Sequence, residues 1–143
     1  MNRDEARRRL QEARVGRLAT VRPDGSPHVV PFVFAIVETG EELTAYWAVD
    51  AKPKRTQAIR RLENIEANPV VEFVVDGYEE DWAELWWVRV SGRGRVVASD
   101  DERAIAIEAL REKYPQYRTR PFTGPVVAID VDRVTGWSGD ASG

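Results

Sequence analysis

The sequence predicts a mainly β protein, with six or seven antiparallel strands closed into a barrel and helices flanking it. Three observations lead there. Short runs rich in Val, Ile and aromatic residues recur along the chain, separated by Gly, Pro, Asn and Asp in turn-forming combinations. Only two or three stretches carry helical spacing, and they interrupt the strands too irregularly for a parallel sheet with crossover helices. The stretch from His28 to Val37 is apolar on both faces, with Val30, Phe32, Phe34 and Ile36 against Val29, Val33, Ala35 and Val37. A strand buried on both sides belongs in the middle of something, such as a barrel wall covered from outside.

The elements follow in order. Residues 3–14 form a charged helix, with Asn2 and Glu5 in capping-box positions and Leu10 and Ala13 on the buried side. Val15–Val21 and His28–Val37 are the two strands of a hairpin, turned by Arg22-Pro-Asp-Gly-Ser-Pro27. Pro31 cannot donate to a ladder, so it implies a bulge or an unpaired edge where a ligand could take a free backbone group. Leu43–Val49 is a third strand. A helix with Ile59, Leu62 and Ile65 at spacings of three stops at Asn68-Pro69. Val70–Val75 follows, then an acidic connection, Asp76–Glu84, containing Tyr78 and Trp82. Leu85–Ala98 is a long strand with Trp86, Val88 and Val90 on one face and Trp87, Arg89, Ser91, Arg93 and Arg95 on the other. Gly92 and Gly94 are candidates for a bulge that changes the facing beyond them. Ser99-Asp-Asp-Glu102 is a capping box opening a helix to about Tyr114, with Ile105, Ala109 and Leu110 buried. Tyr117–Gly124 is a loop, Val126–Val131 a sixth strand and Val134–Trp137 a short last segment. Residues 139–143 are expected to be a mobile tail.

Composition removes several classes of chemistry. A chain of 143 residues makes one domain with a real core. A formal charge of −3 gives no basic surplus for nucleic acid. No apolar run approaches the roughly 20 residues that cross a bilayer, and residues 1–14 are too charged for a signal peptide. The expectation is a cytoplasmic protein acting on neither membrane nor nucleic acid. With one histidine and no cysteine, histidine triads, thiol nucleophiles and His/Cys zinc sites cannot be assembled in one chain. Chemistry is then expected from a bound cofactor. His28 reads as a turn-edge residue, the Asp76–Glu84 acids as a solvated cluster, the face of Arg89, Arg93 and Arg95 as solvated, and Trp47, Trp82 and Trp86 as core or interface material.

The stretch from Tyr46 to Arg61 points to a ligand. A strand ends at Asp50, Lys52-Pro-Lys-Arg-Thr56 follows, and a helix begins. Cations at a helix start oppose the helix dipole, which is positive there. Whether Lys52 or Thr56 is the capping residue, the arrangement suits an anion held by free N–H groups and by the cations. Lys54 and Arg61 stand seven apart, one helix face, and could reach one anion together. The expectation is a phosphate pocket.

Several pieces, in this order, resemble the pyridoxamine-phosphate-oxidase-like, FMN-binding split-barrel superfamily: Val15-Gly-Arg-Leu-Ala-Thr-Val-Arg-Pro-Asp-Gly25, Pro27-His-Val-Val-Pro-Phe32, Leu62-Glu-Asn-Ile-Glu-Ala-Asn-Pro69 and Val90-Ser-Gly-Arg93. Lys52-Pro-Lys-Arg-Thr56, Asp81-Trp82, Leu85-Trp-Trp-Val-Arg89 and Thr135-Gly-Trp137 resemble a subgroup of it assigned to a deazaflavin, coenzyme F-420. The match covers about residues 10–138.

The resemblance implies a six- to seven-stranded antiparallel split β-barrel and a homodimer with two cofactor sites in the subunit interface. It implies that basic and hydroxyl residues at the strand-to-helix turn hold the cofactor phosphate: Lys52, Lys54, Arg55 and Thr56, with Arg61 at the position of a family lysine three residues before Asn64. Asp50 departs from the pattern, since a carboxylate beside a phosphate repels it unless Lys52 or Arg55 neutralises it. Val30, Pro31 and Phe32 would lie along the edge of the flavin ring. Trp87, Arg89 and Trp137 would come from the partner subunit, with Trp86 the alternative to Trp87. The activity implied is hydride transfer between reduced coenzyme F-420 and a small unsaturated or otherwise reducible molecule. The alternatives are an FMN oxidoreductase on the same scaffold and a carrier that binds the cofactor without turnover.

Overall fold

The computed structural model describes residues 1–49 and 57–140. The elements are α1 (Arg3–Glu12), β1 (Gly16–Val21), β2 (Pro27–Phe32), β3 (Ala35–Thr39), β4 (Glu42–Ala48), α2 (Gln57–Ala67), β5 (Val70–Gly77), β6 (Trp86–Val96), α3 (Asp100–Lys113) and β7 (Val126–Ser138), with short 3-10 turns at Trp82–Glu84 and Pro115–Arg118. All strand pairs are antiparallel, and the seven strands form one sheet in the order β2-β1-β5-β6-β7-β4-β3. This is the mainly β, split-barrel class the sequence predicts.

The split lies where the sequence predicts continuity. The stretch from His28 to Val37 is two strands, and they occupy opposite edges of the sheet. Two residues, Val33 and Phe34, carry the chain from one edge to the other, so the sheet curls round and closes covalently. Such a crossing leaves backbone groups without ladder partners, which is costly when buried. Tyr114 supplies them: its hydroxyl accepts from the Phe34 N–H at 3.1 Å and lies 2.9 Å from the carbonyls of both Phe34 and Arg14. Phe34 is fully buried and stacks with Phe32 at 5.0 Å. Burial of both faces holds only from Ala35 onward, under α3. The outer face of β2 is open, with Val29 60 % exposed. Pro31 causes no bulge; it pairs in register with Arg17 on an edge strand, where its missing donor costs little.

The barrel is filled by Leu18, Phe32, Phe34, Leu43, Trp47, Val71, Phe73, Val75, Val88, Val90, Val127 and Ile129. Outside it, α3 lays Ala106 and Leu110 over Tyr46, Val126, Ala128, Ala35 and Tyr114. Ile105, expected in the buried face, is instead 50 % exposed. The contact with β3, β4 and β7 centres on Ala106 and Leu110, one turn apart, which rotates Ile105 outward. The Ser99 cap is as expected, its hydroxyl accepting from the Glu102 N–H at 3.1 Å. Leu10 is buried as expected, with Ala6 rather than Ala13 beside it in the core.

The facing of β6 does not change at its glycines. Val88, Val90, Gly92 and Gly94 all point inward. The register shift falls between Ser91 and Gly92, but the extra residue is Asp132 of β7, which joins the two expected C-terminal segments into one bulged strand. The glycines serve close approach instead. A Cβ on Gly92 would stand 2.5 Å from the Asp130 carbonyl oxygen, and one on Gly94 would stand 2.9 Å from Ile65 of α2. Arg95, expected in a solvated face, is paired with both Glu102 and Asp130 at 2.7–2.8 Å and ties α3 to the sheet. No helix among the described residues is long and apolar enough to cross a membrane.

Candidate functional site

α2 is docked by two contacts that set its rotation. Asn64 is buried and donates to the Thr20 hydroxyl of β1 at 2.9 Å. Ile65 fills the space left open by Gly94 of β6. With those two positions pinned, Arg61 lies one turn earlier on the same helix face and is carried inward. It is only 8 % exposed.

Arg61 lines a cavity of about 850 Å3 at the open seam of the barrel. Pro31, Phe32 and Val33 of the edge-to-edge crossing form one wall, and Trp47, Ala48 and Val49 at the end of β4 form another. The third is Tyr117 and Arg120–Thr123, and Val15 completes the rim. Among the described residues no carboxylate lines it, whereas two guanidinium groups and four aromatic rings do.

The surroundings of Arg61 are poor for a cation. Its Nη1 donates to the Pro31 carbonyl at a long 3.4 Å, its guanidinium lies 4.7 Å from the Trp47 ring centroid, and its Nε is buried without a partner among the described residues. It makes no ion pair among the described residues. Burial lowers its pKa below the ordinary value, opposed by the nearby Tyr117 hydroxyl. An arginine still keeps its charge under such conditions. A buried, unpaired guanidinium is destabilising by itself, and an anion in the cavity removes the deficit.

The predicted residues divide into three sets. Pro31, Phe32 and Arg61 meet at the cavity. Val30, paired with Leu18, is half-buried beside it without lining it. Trp87, Arg89 and Trp137 gather elsewhere, on β6 and β7: the indoles face each other across the ladder at 6.3 Å and 17°, and Arg89 lies 5.2 Å from the Trp87 ring. They line no part of this cavity. Trp86 packs against the core under Arg9. Lys52, Lys54, Arg55 and Thr56 lie outside the described residues, and so does the helix start they were read to surround; Val49, which precedes that segment, lines the cavity. Trp47, read as core, is core and cavity wall at once. His28 is buried in β2 rather than at an open turn edge. The acidic connection forms no metal-binding cluster among the described residues.

Sequence reasoning missed the wall made by Tyr117–Thr123. The available signal was the density of Tyr, Phe and Arg in Tyr117-Arg-Thr-Arg-Pro-Phe122, unusual for a solvated loop. Its position comes from α3, whose Arg103 donates to the carbonyls of Gly124 and Phe122 at 3.0 and 2.9 Å, and whose Arg111 donates to that of Tyr117 at 3.1 Å. Tyr117 and Phe122 pack together at 4.9 Å.

The split barrel thus carries at its seam a cavity lined by two guanidinium groups and four aromatic rings. A family model described as pyridoxamine 5'-phosphate oxidase matches residues 3–138, and the chain belongs to that family. Among solved structures, a conserved hypothetical protein from Mycobacterium tuberculosis is 20 % identical with a TM-score of 0.75, over 97 % of this chain and 86 % of that one. A conserved protein of unknown function from Corynebacterium diphtheriae is 25 % identical with a TM-score of 0.70, over 95 % and 93 %. An FAD-binding protein from Mesorhizobium loti is 24 % identical with a TM-score of 0.67, over 95 % and 94 %. No curated protein matches.

Proposed function

We propose that the chain is an oxidoreductase working through a phosphate-bearing flavin-type cofactor, coenzyme F-420 in our reading, on a small unsaturated or otherwise reducible organic substrate. The observation that carries the cofactor site is Arg61, a buried guanidinium whose Nε has no partner, and whose cavity has no carboxylate, among the described residues. The residues present fit such a group. Arg61 would take the phosphate, joined from the neighbouring segment by Lys52, Lys54, Arg55 and Thr56, while Pro31, Phe32 and Trp47 would border the ring. When bound, the cofactor supplies hydride transfer. The protein's own contribution is binding, orientation and exclusion of water from the seam. Donors already in place to meet the phosphate charge need no rearrangement on binding.

The choice of F-420 rests on the motifs shared with the deazaflavin subgroup and on the surplus of cations, Arg60 included, that suits its longer anionic tail. FMN is the second reading, favoured by the resemblance to the FMN-binding split-barrel superfamily; a structural neighbour described as FAD-binding supports a flavin more generally. The homodimer belongs to the same proposal. Trp87, Arg89 and Trp137 form a built, partly exposed cluster with no part in their own chain's cavity, which suits a contribution across an interface.

Fluorescence titration of purified protein with FMN and with F-420 tests the assignment. Micromolar or tighter F-420 binding supports it, whereas tight FMN binding with no response to F-420 overturns the deazaflavin reading. Oxidation of the reduced, bound cofactor by a panel of quinones, nitro compounds and activated alkenes then separates an enzyme from a carrier; none with any acceptor favours the carrier.

A further inference from the structure

The cavity holds a second cation whose situation is the opposite of Arg61's. Arg120 lies on the exposed side of the same cavity. Its segment is braced rather than loose. The Arg120 carbonyl accepts from Arg111 at 3.5 Å, the Phe122 carbonyl from Arg103 at 2.9 Å, and the Phe122 ring sits 5.1 Å from the Arg111 guanidinium. Each other arginine of this region is engaged. Arg103 and Arg111 donate to the segment's carbonyls, and Arg118 donates to those of Arg111 and Glu112 at 2.9 and 3.0 Å. Arg120 alone among them donates to nothing and pairs with nothing among the described residues. A braced backbone presenting an unengaged guanidinium to a cavity already holding a buried one is a two-point cationic arrangement, with aromatic surface around it.

We propose that Arg120 is a second anion-binding residue, which makes the cavity select flavin-type ligands carrying an anionic group beyond the one Arg61 neutralises. The inference rests on reading the cavity as the cofactor site. A ligand with a single phosphate satisfies Arg61 and leaves Arg120 in water. A dinucleotide's second phosphate or a carboxylated tail engages both. Because Arg120 is exposed, its contribution is screened by salt, whereas that of buried Arg61 is screened much less.

The test titrates wild type, Arg120→Gln and Arg61→Met with FMN, FAD and F-420, followed by ligand fluorescence at low and high salt, with thermal midpoints as the folding control. Arg61→Met should weaken all three ligands. Arg120→Gln should leave FMN within about twofold while weakening FAD or F-420 by about fivefold or more at low salt, less at high salt. Which of those two ligands responds identifies the second group as a pyrophosphate or a carboxylate tail, and Arg120→Lys should restore part of the loss. If Arg120→Gln weakens all three ligands equally, or none, the proposal fails while the cofactor site stands. If wild type binds none of them, the cofactor reading fails and this inference falls with it.

Discussion

Replacing Arg61 by Met should make the ligand-free protein more stable and the ligand-binding protein worse. Arg61 is 8 % exposed. Its favourable contacts are one cation–π approach to Trp47 at 4.7 Å and one long hydrogen bond to Pro31 at 3.4 Å. Together these contribute about 1.5–2.5 kcal/mol. Against them stand the desolvation of a charge without a counter-ion and the orphaned Nε, together about 3–5 kcal/mol after relaxation. The difference predicts a gain of about 1–3 kcal/mol for Arg61→Met, whose unbranched side chain keeps the stem's packing. For a chain of this size that is about 3–9 °C in Tm. The assay is thermal and urea unfolding of both proteins at equal concentration in a phosphate-free buffer, followed by addition of inorganic phosphate. Phosphate should stabilise wild type, by about 2.7 kcal/mol at a hundred times its Kd, and stabilise Arg61→Met clearly less at the same concentration. A ligand-free Arg61→Met protein less stable than wild type would refute the reasoning, because it would mean the guanidinium is already satisfied.

Two further outcomes follow from the same packing. Tyr114→Phe removes the hydroxyl that serves the buried Phe34 peptide at the edge crossing, and it should cost about 2–3 kcal/mol in urea unfolding with an unchanged slope; a cost under about 0.5 kcal/mol would mean water replaces it. Lys113 has a buried, unpartnered Nζ at 4.2 Å from the Phe34 ring, and burial, followed by the charge of Arg14, lowers its pKa from 10.5 to about 8. The folded state then releases the proton before the unfolded one does. Its penalty is full below about pH 8 and is relieved as pH rises towards 10.5. Lys113→Met should therefore be the more stable protein at pH 7, by about 1–2 kcal/mol after allowance for solvent screening, and the advantage should shrink between pH 8 and 10.5. Parallel stability–pH curves for the two proteins would contradict this.

What the sequence could show was decided by how local each cause is. The strand-forming stretches, the Ser99 cap and the stop at Asn68-Pro69 rest on residues within a few positions of one another and are found, except that His28–Val37 divides into two strands and the two C-terminal segments join into one. Arg61 stands out in the sequence through the place before Asn64 that the family resemblance gives it and through its helical spacing from Lys54; the structure puts it at the cavity. The edge crossing does not stand out. Val33 and Phe34 carry no turn residue, and what permits the break is a hydroxyl 80 residues further on. The phase of α3 went astray for the same reason: Ile105 and Ala106 differ by one position, and only the sheet beneath selects between them. The glycines of β6 suggest a bulge in that strand, but it lies in β7, because a register shift belongs to a pair of strands rather than to one. The cavity's third wall was hidden because the arginines that brace it lie in α3 and act on backbone carbonyls, which no side-chain pattern records.

The central claim is that Arg61 waits for the phosphate of a flavin-type cofactor. Its most direct test is a cycle in which wild type and Arg61→Met are each titrated with the phosphate-bearing cofactor and with its phosphate-free ring–ribityl counterpart. The account predicts that the phosphate strengthens binding to wild type by about tenfold or more and clearly less in Arg61→Met, where only the neighbouring segment's residues remain to meet it. An equal contribution of the phosphate in both proteins would place its site away from Arg61 and contradict the account.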